Sequence, residues 1–500
     1  MRIVLEDAAD FVVIGSGAGG ATAARVLSAA GHSVIVLEEG PELQPGQRSH
    51  ALLPAMSESM RDMATVATSG STPIPLLMGR CVGGSTAINS GIIWRMPEDV
   101  QAELSERHGL RELLDPVALD RCFDAIERDL GVAPVREEVL GGNAQRLRAG
   151  ALALGLSGSA IRRNAARCQG SSRCLQGCPN GARQSMDVSY IPDAVRHGAR
   201  VHALTRAERV LISGGRAHAV VGQRLDPTTR KPTGAAYIHA RRAVIVAAGA
   251  VYTPLLLWRS GLRGRVGHGF QAHPGAAVVG RFPEPVAMGF GATQAYEVPL
   301  RARGFKLESL ALPPELLAAR LPGAGVAWQE QLANLDHYAQ FCAVHRAEAV
   351  GRVRPTWFGG YDVRYDLTAR DLERVKQSVA LLVRIMFAAG ADEVYPGVAG
   401  VPERLTSEAQ AQLIEAARIK RRDFHLLASH HFGTAAAGGD PTRSVVAPTL
   451  QTHAARGLYV MDGSALPTNL GVNPQHTIMA VVRRASEWLA NGKRELSSAA

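Results

Sequence analysis

Apolar and polar positions change period several times along the chain. Phe11-Val12-Val13-Ile14 is a short apolar run that predicts a strand. Gly15-Ser16-Gly17-Ala18-Gly19-Gly20 follows it, then a helical stretch from Ala21 to Ala30 that Gly31 ends. A second strand is expected over Ser33 to Leu37, with Glu38 at its end. Strand, tight turn, helix and strand at the start of a chain make a βαβ unit. Residues 79–91 then form a glycine-rich loop, residues 116–155 read as helical, and a cysteine-rich loop spans 168–182. Strands are predicted over Arg200 to Leu211, Ala217 to Arg224 and Ala243 to Ala247. The stretch 275–424 mixes strands with helices near 370–390 and 407–421. Gly457 to Met461 then reads as a strand, Asn473 to Ala490 as a helix, and a polar tail follows from Lys493.

No internal repeat or low-complexity segment interrupts this order. Cofactor-type motifs stand at both ends of the chain and none lies in the middle. The expected fold is therefore α/β, with a Rossmann-like lobe from residues 1–274 and 425–500 and an inserted α+β substrate lobe over 275–424. Five hundred residues suit two such lobes.

Composition narrows the function. Hydrophobic residues make up 46% and charged residues 20%, a globular balance. The formal net charge is +10, but no run of five like charges occurs. The densest basic cluster, Arg418, Lys420, Arg421 and Arg422, reads as a solvated helix end favoured by the macrodipole. No aromatic residues interleave with it, so nucleic-acid binding is not expected. No apolar stretch is long enough for a membrane span. Glu6, Asp7 and Asp10 break any leader-type apolar core, so the expected location is the cytoplasm, with reduced cysteines.

Gly15, Gly17 and Gly20 have the spacing of a dinucleotide turn. Gly17 lets a pyrophosphate approach, and the helix start offers amide donors and a positive dipole. Glu38 follows at about the expected 20 residues, placed to accept from ribose hydroxyls.

The loop Gly79-Arg-Cys-Val-Gly-Gly-Ser-Thr-Ala-Ile-Asn89 resembles the signature loop of the glucose–methanol–choline (GMC) oxidoreductase family. Ser429-His-His-Phe-Gly-Thr434 and Gly471-Val-Asn-Pro-Gln-His-Thr477 resemble its two C-terminal active-site segments, and the matches run in family order from residue 11 to 489. The resemblance implies FAD as cofactor and an antiparallel sheet over the flavin. It implies cofactor contacts at Gly83, Gly84, Ser85 and Asn89, and at Val210, Asp462, Gly463 and Pro474. It also implies oxidation of a small-molecule alcohol, with oxygen or an external acceptor taking the electrons. His430 falls where the family's active-site histidine stands and is expected to be the general base, in preference to the adjacent His431. Asn473 is expected to hydrogen-bond the substrate oxygen, and Asn473-Pro474 is equally an N-cap followed by Pro at N1. His476 is displaced from the catalytic position and is expected to be structural.

Cys168-x5-Cys174-x3-Cys178-Pro179 leaves alternatives open. Three thiolates suit a [3Fe-4S] cluster, similar to that of some sugar dehydrogenases of the family. Zinc with an outside fourth ligand and inert thiols are the other readings. The substrate expected from the resemblance is a sugar-like hydroxyl, on a glycoside or aminoglycoside. A long-chain or sterol alcohol is the alternative, with Leu310 to Leu321 as an apolar lid, and so is an FAD-containing lyase without net redox.

The purified protein is expected to be yellow and to release one FAD per chain on denaturation, read from the absorbance of the supernatant. A colourless protein that FAD cannot reconstitute would refute the family reading.

Overall fold

The structure, a computed structural model, describes residues 2–357 and 359–492. The polar tail expected from Lys493 lies outside the described residues. The first strand, β1 (Ile3–Ile14), is longer than its apolar run. Its first half alternates in exposure and pairs in parallel with β3 (Pro232–Val246), whereas Phe11–Ile14 is sandwiched between β3 and β2 (Val34–Leu37) and is fully buried. Local composition shows the buried end of a strand and misses the half that gains its partner 230 residues away.

Helix α1 (Ala18–Ala29) starts one turn earlier than expected. Its glycines belong to that first turn because the backbones there nearly touch. A Cβ on Gly20 would stand 1.9 Å from the Gly15 carbonyl oxygen. The seven-stranded sheet runs Arg200–His202, β2, β1, β3, Arg216–Leu225, Thr205–Ser213, with β8 (Leu458–Val460) added in parallel to the end of β3. Helix α3 (Gln475–Ala490) packs on α1. The C-terminal segment thus completes the sheet that the N-terminal segment began.

The second sheet has nine strands, and its pairings are antiparallel. Its centre is β4 (His268–Arg281), flanked by β6 (Tyr338–His345) on one side and β7 (Leu426–Phe432) on the other; β5 (Phe305–Ser309) lies beyond β6. Helix Ala369–Ala388 covers this sheet, started by a Thr368–Asp371 capping box. Each sheet has its own apolar core, one around Phe11, Val244 and Met479, the other around Phe270, Phe341 and Leu382.

The boundaries expected at 274/275 and 424/425 do not divide these cores. Strand β4 runs across the first, and β7, after the second, belongs to the antiparallel sheet. Helix Gly141–Ala153 packs into the second core from the N-terminal segment, and strand Ser159–Ala160 pairs there too. The helix expected over 407–421 is only Ala411–Ala416. Lys420 restarts the chain in a short 3-10 turn, its amide donating to Asp423, so the basic cluster does not finish a long helix.

Gly20→Ala is expected to destabilise the fold by about 1–3 kcal/mol, the usual cost of overpacking, and to lower the flavin-to-protein absorbance ratio. Unchanged melting temperature and flavin content would show that the turn has slack.

Candidate active site

A cavity of about 1270 Å³ runs between the two sheets, from the Gly15–Gly20 turn to β5 and β6. At its dinucleotide end, Gly17 caps α1 with no side chain over the free amides, and the space where its Cβ would lie is open. That is the vacancy a pyrophosphate needs. Glu38 lines the cavity; its carboxylate accepts from the Ser16 amide and hydroxyl and from the Gly40 amide. Burial raises its pKa. It braces the turn while retaining acceptor sites. Gly20 and Gly83 shape this turn from behind, without lining the cavity, and the Gly83 amide donates to Ser16 Oγ.

Midway, Gly84, Ser85 and Asn89 face the cavity from the glycine-rich loop, and Asp462, Gly463 and Pro474 face it from the C-terminal segment. Asp462 is buried, which raises its pKa. One oxygen accepts from Gly249 and Thr253 at the start of α2 (Gly249–Arg259), the other from Ser464. Asn89 donates to Gln475 Oε1 at 2.7 Å, joining the loop to α3. Val210 does not face the cavity. Its side chain packs in the core and its amide donates to Ser260; the same strand reaches the cavity at Thr205–Glu208 instead.

The third region gathers histidines, an amide and a buried ion cluster. His430 and His431 both line it, on β7. His431 stacks on Phe270, and its Nε2 donates to the Ala428 carbonyl of its own strand. His430 instead meets His273, with the two Nδ1 atoms 3.1 Å apart. The Gly471 amide donates to His273 Nε2 at 2.9 Å, so that nitrogen carries no proton. A neutral His273 must therefore hold its proton on Nδ1 and donate it to His430 Nδ1. His430 is left with its proton on Nε2. Burial and the Lys306 ammonium, together with His431, push the His430 pKa down to about 3, so the ring is neutral.

Asn473, 7% exposed, does not cap α3; Pro474 occupies that position, and no side-chain cap is made. Its Oδ1 accepts from Lys306 Nζ at 2.6 Å. An ammonium only donates, so the Asn473 NH2 is the end left for the cavity. Lys306, on β5, is fully buried and touches two carboxylates, Glu297 at 3.0 Å and Glu308 at 2.6 Å. Burial alone would lower its pKa, but the two acids raise it. Burial and the Glu297 charge raise the Glu308 pKa. Glu308 lines the cavity, and Gln294 donates to its other oxygen. His476 lies elsewhere, unexposed and tilted against Phe123, as expected for a structural residue.

The cysteine loop is corrected. Among the described residues no three His, Cys, Asp or Glu side chains converge as a metal group. Cys174 is buried with its sulfur accepting from Arg163 at 3.0 Å, and Cys168 Sγ accepts from the Gly170 amide of its own turn. Arg163 also donates to the Ser90 carbonyl, and Arg183 to the carbonyls of Ala87, Asn89 and Cys174. The Cys174 sulfur is thus engaged by the Arg163 guanidinium. The loop holds the glycine-rich segment from behind.

The N-terminal GMC oxidoreductase family model matches residues 9–275 and the C-terminal one residues 353–481. The chain belongs to the GMC oxidoreductase family. An uncharacterized GMC-type oxidoreductase of Mycobacterium tuberculosis, Rv0492c, is 37% identical over 95% of this chain and 74% of its own length. The long-chain-alcohol oxidase FAO1 of Arabidopsis thaliana is 28% identical, covering 97% of this chain and 68% of that protein. The paromamine 6'-oxidase of Streptomyces fradiae is also 28% identical, over 96% and 91%. The solved pyridoxine 4-oxidase from Mesorbium loti superposes with a TM-score of 0.71 at 18% identity, over 95% of this chain and 98% of that one. This GMC protein is an FAD-dependent oxidoreductase, and its open Gly17 cradle fits that cofactor.

Sequence reasoning missed His273, Lys306, Glu297 and Glu308. The one local signal was Phe305-Lys-Leu-Glu-Ser, a strand with opposite charges two apart on one face. Lys306→Met should cost about 3–5 kcal/mol at pH 7–8, since it strands buried carboxylates. The deficit should shrink as pH falls toward 5. A carboxylate whose folded pKa is raised stabilises the fold below that pKa and loses this contribution as pH rises through it. Denaturant unfolding at several pH values checks this; a pH-independent deficit would contradict it.

Proposed function

We propose that this GMC oxidoreductase oxidises a hydroxyl group of a polar, sugar-like small molecule to a carbonyl, with oxygen or an external acceptor reoxidising it. The observation that carries the reading is the convergence of His430, Asn473 and the Lys306-held Glu308 on one cavity. FAD, when bound, supplies a hydride acceptor for the carbinol carbon. His430 Nε2–H and the Asn473 NH2 donate to the hydroxyl oxygen and stabilise the charge that develops there.

The general-base role expected of His430 requires the opposite tautomer, which would aim a proton from His273 Nε2 at the Gly471 amide. The proton is therefore assigned to Glu308, a cavity-lining carboxylate whose pKa burial raises above the ordinary carboxylate value. Lys306 keeps Asn473 and Glu308 on either side of the same ammonium and so orients both.

Gln294 and Gln340, which line the cavity, support a polar substrate, as does the likeness to the paromamine oxidase. A second reading, a long-chain alcohol, is favoured by Leu310, Leu312 and Leu316 on the wall and by the likeness to FAO1. A cytoplasmic location goes with the reading, supported by six free cysteines. Among the described residues no helix is long and apolar enough to cross a membrane.

Anaerobic flavin reduction by a panel of alcohols tests the proposal; a lyase would leave the flavin oxidised. His430→Ala should slow reduction roughly 10²–10³-fold, as for loss of an oxyanion donor. Glu308→Gln should slow it roughly 10²–10⁴-fold and abolish the fall in rate at low pH. A wild-type-like pH profile in Glu308→Gln would return the base role to His430, and a large effect at His431 alone would put the register off by one.

A further inference from the structure

Resting on that reading of the cavity, Arg320 adds a statement about the substrate. It follows the short helix Pro314–Ala318, in the segment that lines the cavity with Leu310, Leu312 and Leu316. Its Nη2 donates to the Ala277 carbonyl at 2.7 Å. Its Nε is enclosed and has no hydrogen-bond partner, and among the described residues it forms no ion pair with a carboxylate. Arg61, Arg80 and Arg206 line the same cavity, and each has one, Glu39, Asp62 and Glu208, while Arg259, also on the wall, is exposed to solvent. Enclosing a guanidinium without a counter-charge is costly, and burial indeed lowers its pKa. His425 stands on the same wall, its pKa lowered by burial and by Arg320, and both it and Arg320 lie beside Gly397.

The strand register gives the distance. Gly275, Val344 and Lys306 stand opposite one another across β4, β6 and β5, and this row holds Asn473. Ala277, Cys342 and Glu308 form the row two residues along, and Arg320 is tied to Ala277. Two strand residues span roughly 7 Å. Lys306 also lies two strands across from Ala277, at about 4.8 Å per strand, so Arg320 and the Lys306–Asn473 pair are separated by on the order of 10 Å along one sheet face.

We propose that Arg320 receives an anionic group of the substrate, which is therefore a hydroxy acid or an alcohol bearing a phosphate. The guanidinium carries five N–H donors, one of them committed to Ala277, and an unbalanced charge on the cavity wall that either anion would satisfy through charge-assisted hydrogen bonds.

The test uses the FAD-loaded enzyme and matched pairs: 4-hydroxybutyrate against 4-hydroxybutyramide, and a sugar phosphate against the free sugar. Rates of anaerobic flavin reduction give the preference within each pair, and the two pairs separate carboxylate from phosphate. The anionic member of one pair should be favoured about 10–100-fold, the usual worth of a hydrogen bond to a charged group. Arg320→Gln should erase that ratio and Arg320→Lys keep part of it. Independently of turnover, butyrate and inorganic phosphate are titrated against the flavin spectrum. One of them should bind the wild type and Arg320→Lys, and should fail to bind Arg320→Gln. Equal rates within both pairs, with neither anion perturbing the wild-type spectrum, would overturn the proposal. Failure of every alcohol to reduce the flavin, with an anion still bound through Arg320, would instead refute the alcohol-oxidation reading and leave the anion site standing.

Discussion

The Lys306 ammonium is the point on which this active site depends. It is fully enclosed, so every one of its donors must find an oxygen in the protein. Those oxygens come from two strands of the antiparallel sheet and from the segment before α3. Trp94, next to the glycine-rich loop, covers it with its ring at 5.2 Å and donates to the same Glu297. One buried charge therefore ties together two strands of the sheet, the Asn473 amide and the Glu308 carboxylate. A second consequence is electrostatic. The same ammonium helps keep His430 neutral.

The cofactor end is built on a different device, closure of the chain's two ends on one cleft. Strand β8 adds to β3, Asp462 binds the start of α2, and Gln475 is held by Asn89. The arginine pair behind the glycine-rich loop completes the frame, with Cys174 filling the space between Arg163 and Arg183. Those guanidiniums outweigh burial and pull the Cys174 thiol below its usual pKa. A low thiol pKa here reflects structural charge balance, with no metal needed to account for it.

What could be read from the sequence follows the range of the interactions. The turn from β1 into α1, the segment at Asp462 and the His430 segment are local strings, and residues of all three line the cavity. Lys306 and Asn473 are 167 residues apart, one on a strand and the other just before α3, and meet only in the tertiary fold, which no local pattern encodes. His273 was overlooked for the same reason: its meaning comes from a backbone amide nearly 200 residues away. Cysteine spacing misled because spacing does not fix where the sulfurs point, and Arg163, only five residues before Cys168, had already claimed one. Val210 packs into the core beyond a register shift between Ala207 and Arg209, while Ala207 and Glu208 reach the cavity edge, and no local pattern marks such a shift.

The central claim is that His430 rests as a neutral imidazole with its proton on Nε2, fixed by His273 and the Gly471 amide. The most direct measurement is ¹⁵N nuclear magnetic resonance of the histidine side chains in the FAD-loaded enzyme, with His430 assigned by substitution. The account predicts a protonated Nε2, an unprotonated Nδ1 and no titration between pH 5 and 9, and it predicts that His273→Ala releases both constraints. A proton on Nδ1, or an imidazolium forming near the ordinary histidine pKa, would contradict it.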